Sequence, residues 1–244
     1  MEKIIARELT DFLLNTSVIP VEQHGFLPRK STFSNLLTRL NQWTLADDNH
    51  QPTDVVYLDF QKAFDKIPIE FLIYKLEHFG IRGNLLRLIG EGFLMGRTFK
   101  VRVNSSISQE HKVHSGVPQG SVLGPLLFIT YLSDLYQGLR TRSASYADDG
   151  NIYGNPLLEC AALQNDLNSI KIWTEQWKMP LNEAKCTILH IGQSNPKIAY
   201  FFEQTPIPTV TKQRDLGITI TSDLKWETHI TLITKKANSM IYLI

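Results

Sequence analysis

The chain has 244 residues, 43% of them hydrophobic and 20% charged, with a formal net charge of +1. That is ordinary globular composition with enough apolar material for a sizeable core, and near-neutrality leaves no overall positive field to gather a polyanion, which counts mildly against nucleic-acid binding while leaving open a local basic strip. Two cysteines, Cys160 and Cys186, stand in no pairing pattern and suit a reduced, intracellular protein, and neither they nor the seven histidines show zinc-finger spacing.

"MEKIIARELTDFLL" reads as an amphipathic helix over residues 1–15, and its Glu2, Glu8 and Asp11 are foreign to signal and transit peptides. Residues 16–30, with Pro20, Gly25 and Pro28, read as loop. Ser31 caps a helix running through Leu36, Leu37 and Leu40. After the polar connector "DNHQPTD", "VVYLDF" (55–60) is a short apolar run ending in one acid, as a buried strand would. In "IPIEFLIYKLEHFG", Leu72, Leu76 and Phe79 fall at i, i+4, i+7 and Gly80 is a natural stop; a second helix runs from Asn84 to Leu94. "TFKVRV" alternates Phe99, Val101 and Val103 with Lys100 and Arg102, and with "NSS" as turn it reads as a hairpin; His111 and His114 beyond it read as surface residues. The greasiest stretch, "SVLGPLLFITYLSDLY" (121–136), is too short to span a bilayer and is interrupted by Gly124-Pro125. It reads as a buried helix with Pro125 near its first turn. Leu163, Leu167, Ile170 and Trp177 make one stripe of a long helix, "CTILHIG" another strand, and "TVTKQRDLGITITSDLKW" a second hairpin region. Strands and helices without strict βαβ alternation predict an α+β fold with an antiparallel sheet.

"SASYADDGNIYG" (143–154) places Asp148 beside Asp149 at the tip of a predicted hairpin, and Asp59 closes an earlier strand. Carboxylates brought together repel unless a cation neutralises them. Mg²⁺ suits such a site, being a hard ion that takes carboxylates plus substrate phosphates. Two ions about 3.5–4 Å apart stabilise both the attacking and leaving oxygens of phosphoryl transfer. On spacing alone, Asp-Asp-Gly is equally a solvent-exposed turn. "HSGVPQGSVLGPLLF" adds glycines ahead of a helix, which let a backbone approach a ligand closely, although the Gly-Lys-Ser/Thr ending of a Walker loop is missing.

Together these segments resemble the reverse transcriptase domain of non-long-terminal-repeat (LINE-type) retrotransposons, over almost the whole chain. "QHGFLPRKST" (23–32) is similar to the fingers-side motif, "VVYLDFQKAFDKI" (55–67) to motif A, "SGVPQGSVLGPLLF" (115–128) to motif B and "YADD" (146–149) to motif C. "MPLNEAKCTILHIG" (179–192) is similar to motif D and "RDLGITITSDLKWETHI" (214–230) to the primer-grip region with the segment just beyond it. The resemblance implies a right-hand polymerase palm, an antiparallel sheet backed by helices, with partial fingers and the start of a thumb. It divides the chain into fingers 1–53, palm 54–194, primer-grip region 195–224 and thumb start 225–244, with the duplex clamp incomplete.

It also implies roles. Asp59 and Asp148, with Asp149 beside them, would ligate two Mg²⁺ ions, for which Mn²⁺ could substitute. Lys185 would protonate pyrophosphate. Phe64, five residues after Asp59, would be the aromatic gate against a 2′-hydroxyl. Phe60, Gln119, Gly120 and Tyr146 would line the nucleotide pocket, and Arg29 and Lys30 would approach template or triphosphate. Leu216 and Gly217 would position the primer terminus. The implied partners are an RNA template, a DNA primer and deoxynucleoside triphosphates, with no membrane. The other readings are a non-catalytic remnant that keeps the fold and binds nucleic acid or a partner, and a different two-metal palm enzyme.

Overall fold

A computed structural model describes residues 1–241. Helix α1 (Glu2–Asn15) buries Leu9 and Leu13. A loop leads to α2 (Thr32–Asp48), which starts where Ser31 and Ser34 exchange side-chain and backbone hydrogen bonds in a capping box. Strand β1 (Thr53–Leu58) is followed by α3 (Ala63–Lys66), α4 (Ile69–His78) and α5 (Gly83–Ile89). Gly80 ends α4's run at φ 95. The helix expected over 84–94 is not uniform: its second half, Gly90–Leu94, widens into a π-helix. That change falls where Gly90 and Gly92 lower helix propensity.

The alternating segment forms short strands β2 (Thr98–Phe99), β3 (Arg102–Val103), β4 (Ser106–Ile107) and β5 (His111–Lys112). They pair as a ribbon, β2 with β5 and β3 with β4. Helix α6 (Leu123–Tyr131) is buried along its whole length apart from Pro125, which stands in its first turn. Strands β6 (Arg142–Tyr146) and β7 (Asp149–Gly154) form the next hairpin. Helix α7 (Pro156–Gln176) then begins at an Asn155 cap. After it come β8 (Thr187–Ile191), β9 (Phe201–Phe202), β10 (Thr205–Pro206), β11 (Thr209–Val210), β12 (Lys212–Asp215), β13 (Ile218–Thr221) and α8 (Glu227–Ile241).

The central sheet has the order β11-β8-β1-β7-β6. Four of its strands are antiparallel neighbours as expected, but edge strand β11 runs parallel to β8, so the sheet is mixed. The expected primer-grip region is not one hairpin either: β9 and β10 pair separately, β11 joins the main sheet, and β12 with β13 makes the true hairpin. The expected thumb start contributes α8, which buries no side chain; residues 242–244 lie outside the described residues.

β1 is buried on both faces, which is why its Val55–Leu58 run does not alternate with polar residues, while buried Asp54 at its start is paired with His190, Asn195 and Tyr200. Val56 and Leu58 face a core built with α1, α4, α6 and α7. Val55 and Tyr57 face a smaller core with Leu36 and Trp43 of α2 and Ile220 of β13. On α7, Leu163, Leu167 and Ile170 are fully buried, each contributing roughly 1.5–3 kcal/mol of transfer free energy. No helix among the described residues is long and apolar enough to cross a membrane.

Candidate active site

In the β6–β7 hairpin Tyr146 faces Asp149, so the connecting loop is only Ala147 and Asp148. So tight a turn demands left-handed dihedrals, and Ala147 takes φ 57. An alanine held there costs roughly 1–2 kcal/mol, which surrounding structure must offset. Gln23 does so. Its Oε1 accepts the N–H groups of Ala147 (2.8 Å) and Gly25 (2.7 Å), and its Nε2 donates to the Ala147 carbonyl (3.3 Å). Backbone pairing reinforces the clamp: Ser145 N–H donates to the Glu22 carbonyl at 3.1 Å, and His24 N–H donates to the Ser145 carbonyl at 2.9 Å. A Cβ at Gly25 would lie 2.3 Å from Ala147 N, so only glycine permits this approach. At the hairpin's other end the buried Asp166 carboxylate accepts the N–H groups of Arg140 and Thr141 and the Thr141 hydroxyl, fixing where β6 begins.

Asp59 stands one residue past β1. Leu58 pairs with Gly150, so continuing that register sets Asp59 across from Asp149. The segment after α7 holds it: the Asp59 carbonyl accepts Asn182 N–H at 2.7 Å, and its own N–H donates to Cys186 Sγ at 3.4 Å. Cys186 is fully buried, its thiol pushed up to about 11 by burial, which makes it a packing group rather than a nucleophile.

A cleft of 280 Å³ opens here, lined among others by Asp59, Asp149, Lys185, Asp215, Leu216 and Gly217. The acids lie close enough to raise one another. Burial, then the Asp59 charge, raises the Asp148 carboxyl. Asp149 is pushed up to about 6 by its low-dielectric surroundings and then by Asp148, Asp215 and Asp59, with Arg39 pulling the other way. The Asp149 side chain itself reaches solvent, so screening tempers that shift without reversing it. Hard oxygen donors that repel one another fit a divalent cation such as Mg²⁺. Among the described residues no three His, Cys, Asp or Glu side chains are arranged to hold a metal ion by themselves.

The turn between β12 and β13 is Leu216-Gly217, with φ 45 and 90. Its base is anchored by a buried bidentate ion pair, Arg39 Nη1 and Nη2 of α2 on Asp215 Oδ2 and Oδ1 at 2.6 and 3.1 Å. The cleft thus has a floor from β1 and β7 and a wall from β12–β13 that α2 holds in place.

The remaining expected residues are distributed less evenly. Phe64 is half-buried, stacked on Phe128 (centroids 4.2 Å apart, planes 7° apart) with Phe26 edge-on. Gln119 is exposed and donates to Asp65 Oδ1 at 2.9 Å; Gly120 beside it takes φ 79. Tyr146 is half-buried against the larger core. Phe60, expected at the substrate, is instead 7% exposed in that core, because strand alternation carries it to the side of Val56 and Leu58. Arg29 is exposed, whereas Lys30 is tied to the loop itself, its Nζ donating to the carbonyls of Val21 and Gln23. Sequence reasoning missed Gln23, Arg39, Asp166 and Asp215 as individual residues. Gln23 and Asp215 sit inside recognised motifs, which was the available signal; Arg39 and Asp166 had none.

The family model described as Reverse transcriptase (RNA-dependent DNA polymerase) matches residues 1–229. Similar curated proteins include the probable RNA-directed DNA polymerase from transposon X-element of Drosophila melanogaster, 28% identical over 256 residues, 98% of this chain and 27% of that protein. The RNA-directed DNA polymerase from mobile element jockey of the same organism is 30% identical over 247 residues, 96% of this chain and 26% of that protein. The chain therefore spans about a quarter of the length of these relatives. Among solved structures, apo telomerase from Candida tropicalis, truncated from its C-terminal domain, superposes with a TM-score of 0.63 at 12% identity, covering 92% of this chain and 45% of that one. Telomerase from Candida albicans with a fragment of telomeric RNA gives 0.58 at 13%, covering 91% and 38%. These likenesses show the fold, an α+β polymerase palm. With the family match running through all the motifs up to residue 229, the chain belongs to the reverse transcriptase family and is a domain of the non-long-terminal-repeat, LINE-type kind.

Proposed function

We propose that this chain performs RNA-directed DNA synthesis, adding deoxynucleotides to a primer 3′-hydroxyl opposite an RNA template. The observation that carries this reading is the single cleft in which Asp59 and Asp149 meet Lys185 and the Leu216-Gly217 turn, with Asp148 on the adjoining hairpin loop. Asp59 and Asp148, with Asp149 beside them, would hold Mg²⁺ or Mn²⁺. Bound there, two such ions would neutralise the phosphates and support the attacking and leaving oxygens of an in-line displacement.

The chain's own residues then position the reactants, which is most of what phosphoryl transfer asks of a protein. The Leu216-Gly217 turn would set the primer terminus against the acids. Phe64, immobilised by Phe128, would present a rigid ring where a 2′-hydroxyl would otherwise fit. Gln119 and Gly120 would flank the incoming nucleotide, and Arg29 would meet template or triphosphate. Exposed Lys185 would donate its Nζ proton to departing pyrophosphate. In this reading residues 1–53 act as partial fingers, 54–194 as palm, 195–224 as primer-positioning region and 225–244 as thumb start. The test is extension of a DNA primer on an RNA template with deoxynucleotides and Mg²⁺. Templated extension is expected; its absence over a range of Mg²⁺ and Mn²⁺ concentrations, from a chain shown to be folded, would count against the reading.

A further inference from the structure

The ribbon β2–β5 stands away from the two cores. Every residue from 98 to 112 is exposed, on both faces. Its alternation should bury one face, yet Phe99 is 48%, Val101 51% and Val103 64% exposed. A two-stranded hairpin is marginally stable alone, so this arm lacks the partner its pattern calls for. Its charge says what kind. Residues 97–114 carry Arg97, Lys100, Arg102 and Lys112 against one acid, Glu110, a surplus of three positive charges in a chain whose total is +1. The remainder of the molecule is therefore slightly acidic, and the ribbon is its local basic strip. Lys100 reaches Glu110 only at 3.4 Å, both side chains more than half exposed, a contact that phosphate can displace.

The ribbon is also aimed. Arg97, at its base, donates to the carbonyls of Leu94 and Gly116. Gly116 N–H donates to the Ile67 carbonyl, Val117 N–H to that of Phe64, and the Ser115 hydroxyl to that of Asp65. The arm thus springs from the 115–119 segment, which is hydrogen-bonded to α3, the helix of Phe64 and Asp65, and includes Gln119. Its six residues Thr98–Val103, at about 3.3 Å each, project about 20 Å from there.

We infer that the ribbon is a duplex-binding arm. It enters the wide minor groove of the primer–template edge-on as the duplex passes the nucleotide side of the cleft, so that Lys100, Arg102 and Lys112 on one face contact the phosphate backbone and Phe99, Val101 and Val103 on the other lie against sugars. A second copy of the chain is the less favoured occupant, because paired ribbons would bring two basic strips together. The inference rests on the polymerase reading.

The test measures binding of an RNA–DNA primer–template by the whole chain against salt concentration, for wild type and for Lys100→Gln/Arg102→Gln/Lys112→Gln. These side chains are exposed, and an unchanged melting curve checks that the variant folds. Each phosphate contact contributes about 0.9 to the slope of log affinity against log salt, so the variant's slope should be shallower by roughly 2–3, with at least a tenfold loss of affinity at low salt. A variant matching wild type in affinity and slope overturns the arm while leaving the polymerase reading standing. A wild type that binds no primer–template overturns both. Sedimentation of a dimer that Phe99→Ser/Val103→Ser/Ile107→Ser dissolves would assign the ribbon to self-association and overturn the inference.

Discussion

Replacing Gln23 by alanine removes the side chain that holds the Ala147-Asp148 turn while touching none of the acids. Two main-chain N–H groups, of Ala147 and Gly25, lose their acceptor, and the Ala147 carbonyl loses a donor. Ala147 is 6% exposed, so water cannot readily substitute. At about 1–3 kcal/mol for each of the three orphaned buried groups, Gln23→Ala should destabilise the chain by roughly 3–9 kcal/mol, read from urea unfolding. The turn's left-handed Ala147 would also be freer to relax, moving Asp148. Single-turnover primer extension should therefore slow at saturating nucleotide, with a much smaller change in apparent nucleotide affinity. Gln23→Glu keeps both acceptor contacts but sets a carboxylate oxygen against the Ala147 carbonyl, so it should fall between wild type and Gln23→Ala. If Gln23→Ala unfolds within about 0.5 kcal/mol of wild type and extends at the wild-type rate, the amide does not hold the turn and the reasoning fails.

Gly25→Ala should be worse than Gln23→Ala, because its Cβ meets Ala147 backbone atoms at 2.3 and 2.9 Å rather than a movable side chain; soluble protein with wild-type melting would contradict this. Asp215→Ala strands the buried Arg39 guanidinium and should cost about 3–5 kcal/mol in urea unfolding, since breaking a buried pair is worse than never having one. Phe64→Ala should relax discrimination against ribonucleotides and also lose stability through the missing stack on Phe128; unchanged nucleotide selectivity would leave Phe64 a packing residue only. Lys75 is buried against Tyr131, Trp173 and Trp177, and burial brings its ammonium down to about 8 despite Asp134. Above that value the unfolded chain binds a proton that the native chain has released, so this group makes stability rise with pH. From about pH 8 to 9.5, wild type should gain stability relative to Lys75→Met, and parallel pH profiles would refute it.

The features readable in the sequence were local. Ser31 announces the start of α2 because a cap and its partner lie three residues apart. "VVYL" announces a strand buried on both faces, and Leu163, Leu167 and Ile170 announce one helical face. Asp-Asp-Gly announces a tight turn, although the turn residues are Ala147 and Asp148, with Asp149 and Gly150 already in β7. The unreadable parts join distant segments. Gln23 and Ala147 are 124 residues apart and Arg39 and Asp215 are 176 apart, and no spacing rule relates them. The parallel pairing of β11 escaped for the same reason: two residues carry no directional signal, and their register is set by β8. Phe60 shows the opposite failure. Motif position puts it at the substrate, while alternation from Val56 and Leu58 turns its ring into the core.

The account turns on Asp59 and Asp148 belonging to one site although one follows β1 and the other lies in the β6–β7 turn. The most direct measurement is the single-turnover rate of primer extension for wild type, Asp59→Asn, Asp148→Asn and the double variant, with folding confirmed for each. Residues that act as a unit are strongly non-additive. Each single variant should abolish most of the rate, and the double should lose little more than either one. Near-normal extension by either single variant, or losses that simply multiply in the double, would contradict a shared catalytic centre.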